Sequence, residues 1–134
     1  MSGADKKSMS AEDSAFLDGL KKDFLDESRL ELDAWEENLL DYDSDGDSSY
    51  LDDFKRQVHS MKGSSAAIGL VEANQILHEL ENWLQQAQSG MSRKDMVTSA
   101  LKFVDQMRVY CSALANKDNA KVTAAAQALK SLVS

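Results

Sequence analysis

His59, Lys62 and Gly63 fall within Val58-His59-Ser60-Met61-Lys62-Gly63-Ser64-Ser65-Ala66-Ala67-Ile68-Gly69, a stretch that otherwise reads as helix. A neutral imidazole carries a lone pair, and its ordinary pKa of about 6.5 keeps it available near neutral pH. A lysine three residues further on lies one turn away on a helix and brings a positive charge to any phosphoryl group that reaches the ring. Glycine costs a helix interior about 1 kcal/mol relative to alanine. At the fourth position after the histidine it removes the side chain that would stand beside the ring, so another molecule can come close. Together these residues suit an exposed nucleophile that takes up an anionic group.

Their directions follow from helix geometry. With the mean direction of Phe54, Val58, Met61, Ser65 and Ile68 set to zero, His59 falls at roughly 140°, Gly63 at roughly 180° and Lys62 at roughly 80°. The ring is expected in solvent, with Lys55 one turn before it on the same side. The next helix turns Asn74, His78 and Gln85 away from its apolar centre and places Glu81 on the flank, at roughly 90°. If the two helices pack antiparallel across Gly69, Glu81 comes within reach of one ring nitrogen of His59 and fixes its tautomer. The other nitrogen is left as the nucleophile. His78 stands three residues before Glu81 and shares its neighbourhood.

The elements that must hold this set are all helical. Residues 1–9 are small, polar and aperiodic and are expected to be a flexible N-terminus, with residues 10–134 forming one bundle. Ser10 with Asp13 caps a first helix carrying Phe16, Leu17, Leu20, Phe24, Leu25, Leu32, Trp35 and Leu39. It is predicted to run to about Asp41, with an irregularity near Asp26 to Ser28. The polar run from Asp41 to Ser49 ends it, and Ser49 is the expected cap of the second helix. Gly69 stops that helix. Leu70, Ala73, Leu77, Leu80, Leu84 and Ala87 then mark a third, which Gly90 closes. Ser92 with Asp95 opens a fourth helix, and Asp118 or a neighbour a last one. With no proline in the chain, short loops and no strand pattern, the expected fold is all-α: an antiparallel up-and-down four-helix bundle with a fifth C-terminal helix.

Composition narrows the partners. A chain of 134 residues has room for one domain, and a formal net charge of −8 with a pI near 4.7 disfavours nucleic acid and anionic membrane. Cys111 has no second cysteine to pair with, no apolar run approaches the roughly 20 residues of a membrane span, and no signal peptide is visible. A cytoplasmic monomer is expected. No G-x-x-x-x-G-K-[ST] or glycine-rich lid marks a nucleotide site.

His59-Ser60-Met61-Lys62-Gly63-Ser64-Ser65-Ala66, with Gly69 ten positions after the histidine, resembles the signature of histidine-containing phosphotransfer (HPt) domains. His78-Glu79-Leu80-Glu81-Asn82 extends the resemblance towards the N-terminal phosphotransfer domain of CheA-type chemotaxis kinases, with a supporting histidine and glutamate at the same spacing. The likeness covers roughly residues 15 to 133. It implies that His59 accepts a phosphoryl group from a histidine kinase catalytic domain and passes it to an aspartate of a response-regulator receiver domain. Carried over, Lys62 contacts the phosphoryl oxygens, Glu81 with His78 tunes the imidazole, and Gly63, Lys55, Ser64 and Ala66 form the docking face. The chain would hold no cofactor, with ATP and Mg²⁺ supplied by its partners. Ser64 and Ser65 stand where many CheA-type domains are glycine-rich, as in relay-type carriers, so both a free-standing carrier and a kinase fragment stay open.

Two other readings compete. Asp41, Asp43, Asp45 and Gly46, with Asp52 at the twelfth position, fit the spacing of a calcium-binding loop between two helices. Asp52 replaces the usual bidentate glutamate, however, and Ser48 stands where an apolar residue belongs. A non-catalytic helical adaptor is the other, presenting Ile76 and Trp83 to a partner helix.

Overall fold

The computed structural model describes residues 10–134, and among them the chain forms five α-helices and no strand. Helix α1 (Ala11–Asp45) starts where the Ser10 hydroxyl accepts the Asp13 N–H at 3.0 Å. It continues for 35 residues without the irregularity expected near Ser28. That serine is buried, and its hydroxyl donates to the Phe24 carbonyl at 2.7 Å, so a polar side chain inside the bundle is satisfied by its own helix. The helix also passes Asp41. Tyr42 packs against the core, and Gly46, with φ +78°, closes the last turn by donating its N–H to the Tyr42 carbonyl at 2.9 Å.

Asp47, not Ser49, caps α2 (Ser48–Ala67), its carboxylate accepting the Ser49 N–H at 2.9 Å. At the far end Gly69 adopts φ +79°. Its N–H donates to the Ala66 carbonyl at 3.1 Å while the Leu70 N–H reaches Ser65 at 2.9 Å, the paired bonds of a Schellman stop. Three residues therefore turn the chain into α3 (Val71–Gly90). Gly90 is the last residue of α3 and not a left-handed stop, because the chain leaves through Met91 in extended conformation. Ser92 and Asp118 cap α4 (Arg93–Ala115) and α5 (Asn119–Leu132), as their positions predicted.

Packing gives the antiparallel bundle with its additional helix. α1 lies between α2 and α4, α3 lies against α2, and α5 covers mainly α4. The core is filled by large side chains with almost no exposure, including Trp35, Phe54, Phe103, Leu32, Leu80 and Met107. Trp35 and Phe54 meet edge to face at 5.6 Å and 90°, fixing α1 against α2. On the outside Arg108 of α4 reaches Asp33 and Glu36 of α1, both at 2.9 Å. Phe16 and Leu20, counted with the core stripe in the sequence, are exposed: no residue of α1 before Phe24 is buried. Among the described residues no side chain buries the start of that helix.

Candidate functional site

The Gly69 turn lays α3 antiparallel along α2, and the polar residues of α3 that face α2 meet its outer edge at three levels. Nearest the turn, the Asn74 amide donates to the Lys62 carbonyl at 3.0 Å. In the middle, Glu81 is shared: one carboxylate oxygen lies 2.9 Å from His59 Nδ1 and the other 2.5 Å from Lys62 Nζ. Furthest from the turn, Lys55 Nζ donates to the Gln88 amide oxygen at 2.7 Å. Between these levels lies an open cavity of about 260 Å³ lined by Lys55, His59, Lys62, Glu81 and Asn82, with Leu84 and Gln85 completing it.

Burial within the set is graded. The His59 side chain is 72% exposed, whereas Lys62 and Glu81 keep only 21% and 25%. Desolvation acts to raise the Glu81 carboxyl, but the hydrogen bonds and charges of Lys62 and His59 outweigh it and hold the group below the usual carboxylate range. An ionised carboxylate can only accept, so the Nδ1 that faces it carries the proton. The lone pair is therefore on Nε2, at the solvent end of an exposed ring. Since the other Glu81 oxygen is held by Lys62, the carboxylate cannot easily swing away.

Gly63 is exposed one turn beyond His59, and a Cβ built on it meets nothing within 4 Å. Packing within the chain gives no reason for a glycine there. Ser64 and Ala66 are exposed on the same helix. His78 is not drawn into the cluster. It sits on the α3 face between Asn74 and Glu81, but it is exposed and makes none of the hydrogen bonds or ion pairs found among the described residues. Asn74 and Gln88 are contacts that sequence spacing left without a role; both belong to the Asn74, Glu81, Gln88 series at seven-residue intervals, the signal that would have found them.

The other candidate sites are less suited to chemistry. Asp41, Asp43 and Asp45 belong to α1 and Asp52 to α2, leaving only Gly46 and Asp47 between the helices, so the calcium loop of the competing reading does not form. Among the described residues no group of three or more His, Cys, Asp or Glu side chains could hold a metal ion. Ile76, offered as a partner contact in the adaptor reading, is fully buried, and Trp83 packs against the core. A cavity of about 350 Å³ between α1 and α4 has Cys111 in its lining, but burial pushes that thiol up to about 12 and leaves it protonated. Among the described residues no helix is long and apolar enough to cross a membrane.

Comparison with known proteins agrees with the geometry. The family model for the Hpt domain matches residues 19–132, from the third turn of α1 to the end of α5. Neither the curated proteins nor the solved structures gave a significant match. Matched over most of its length, and folded as a bundle that leaves one imidazole nitrogen free, the chain belongs to the Hpt domain family, whose members carry out histidine phosphotransfer in two-component signalling.

Proposed function

We propose that His59 is the phosphoryl-carrying residue and that its Nε2 is the reacting atom. The observation that carries this reading is the Nδ1 contact with Glu81 at 2.9 Å on an otherwise exposed ring. Attack by the Nε2 lone pair on a phosphorus atom forms the N–P bond as the bond to the leaving oxygen breaks and that oxygen keeps its electron pair. No proton has to leave Nε2. The ring becomes a phosphoimidazolium that still holds its Nδ1 proton, and the Glu81 carboxylate offsets the new positive charge. When a receiver aspartate takes the phosphoryl group, the pair of electrons returns to Nε2 and the neutral tautomer is restored. Such a loose, in-line transfer asks for positioning and charge neutralisation more than for further acids or bases.

The donor in this reading is ATP bound to a histidine kinase catalytic domain, and the acceptor is a response-regulator receiver domain, which brings Mg²⁺. The face around Gly63, Ser64 and Ala66 is where the receiver docks, since a side chain at residue 63 would project into open space beside the ring. The His78 and Glu81 spacing favours a chemotaxis-type kinase as the source, with Glu81 as the orienting group. His78, unbonded in this structure, has its role there as a surface group beside the transfer path. Incubation with chemotaxis-type and hybrid kinases and [γ-³²P]ATP tests the proposal. Acid-labile, base-stable label should appear on the chain and vanish in His59→Gln; label persisting in that variant would overturn it, as would a His59→Gln chain that signals normally, which an adaptor would.

A further inference from the structure

Resting on His59 as the carrier, the geometry points to Lys55 as the cation that holds the phosphoryl group once it sits on Nε2. Lys62 is the obvious candidate by spacing, but its ammonium is already committed. It lies 2.5 Å from Glu81, keeps only 21% side-chain exposure, and so meets an arriving anion as half of a neutral pair. Lys55, half-buried like Lys62, differs in its partner. Its Nζ is held at 2.7 Å by Gln88, a neutral amide, so its full charge remains uncompensated, and it takes part in none of the ion pairs found among the described residues.

Its position also keeps it within reach of the ring. Side chains on a helix lean towards the N-terminus and cover the turn before their own Cα. The His59 ring is therefore directed towards the turn that carries Lys55, while its Nδ1 shares the Glu81 carboxylate with Lys62. Lys55, His59 and Lys62 all line the same cavity, whose α3 wall offers Glu81, Asn82 and Gln85 and no cation, so the two lysines are told apart by their partners. Nδ1 is turned towards Glu81, so a phosphoryl group on Nε2 projects outward from that wall. A lysine on four rotatable methylenes can leave Gln88 and reach it, exchanging a neutral amide acceptor for an anionic one. Gln88 is then the parking place that keeps the ammonium near the ring and away from solvent-exposed carboxylates.

Phosphoramidate separates this role from protein docking, because the small donor phosphorylates an accessible imidazole with no partner present, the N–P bond to ammonia breaking as the Nε2–P bond forms. Wild type, Lys55→Gln, Lys55→Arg and the remote Lys102→Gln are compared by mass spectrometry and ³¹P NMR. Lys55→Gln should label His59 about fivefold more slowly, the loss expected for one charge-assisted contact at an exposed site. Lys55→Arg should restore the rate, and Lys102→Gln, with the same change in net charge, should match wild type. The bound phosphoryl group of Lys55→Gln should also release its last proton at a pH raised by roughly half a unit, a shift that a merely structural role would not produce. Labelling of Lys55→Gln at the wild-type rate, or equal slowing in Lys102→Gln, would overturn the assignment while leaving His59 as carrier. A wild-type chain that takes no label on His59 would overturn both.

Discussion

Replacing Gly63 sets stability against function in opposite directions. In the middle of α2 glycine is worse than alanine by about 1 kcal/mol. A Cβ at this position has no heavy atom within 4 Å, so no clash subtracts from the gain. Gly63→Ala is thus expected to raise stability by about 1 kcal/mol and the midpoint of thermal unfolding by roughly 4 °C for a chain of this size. Gly63→Gln should keep about half of that gain. Yet its side chain stands beside the His59 ring, where the receiver must approach. Transfer from phosphorylated chain to receiver should fall more than tenfold in Gly63→Gln, the size of effect produced when a reacting pair is displaced by about an ångström. Circular dichroism melts and a rapid-quench transfer assay measure the two quantities on the same samples. If Gly63→Gln transferred at the wild-type rate, or if Gly63→Ala lost stability, the glycine would have to serve packing within the bundle and the docking face would lie elsewhere.

Glu81→Gln removes the negative charge that holds the Nδ1 proton and offsets the phosphoimidazolium, and phosphorylation of His59 should slow by about tenfold, less than the complete loss in His59→Gln, as read by label incorporation. Because the Glu81 carboxyl lies below its ordinary range in the folded chain, its bonds to His59 and Lys62 contribute stability that is fully present above about pH 4.3, the unfolded value, and disappears as pH falls through the folded value. Urea titrations should therefore show wild type and Glu81→Gln converging only in acid; convergence at neutral pH would contradict the pairing. Gly69→Ala forces a side chain into φ +79° and should cost about 1 kcal/mol or more, visible as a lower urea midpoint. Calorimetric titration with calcium should give no saturable heat, since the aspartates of the candidate loop are spread over two helices.

Much of this arrangement was legible in the letters. Helical spacing placed Phe54, Val58, Met61 and Ser65 inside and His59 outside, because an apolar stripe on a buried helix leaves one face for solvent. Gly69 announced its turn, since the left-handed conformation of a helix stop is easiest for glycine. From those two features the approach of Glu81 to His59 follows. The end of α1 was harder to read: its buried stripe runs out after Leu39, and the acidic Asp41, Asp43 and Asp45 look the same in a last helical turn as in a loop. Phe16 and Leu20 misled in the opposite sense, as periodicity records which side of a helix is apolar and not whether another element reaches far enough to cover it. The division of labour between the two lysines was invisible for a similar reason. Both stand near His59 in sequence, and only the placement of Glu81 and Gln88 on the facing helix decides which charge is spent.

The position of the phosphoryl group on the ring is the most direct measurement. Heteronuclear NMR of the phosphorylated chain distinguishes phosphorus on Nε2 from phosphorus on Nδ1 and identifies the histidine that bears it. A Glu81 carboxylate bonded to Nδ1 predicts modification of His59 at Nε2 alone. Phosphorus on Nδ1 of His59, or on His78, would contradict it.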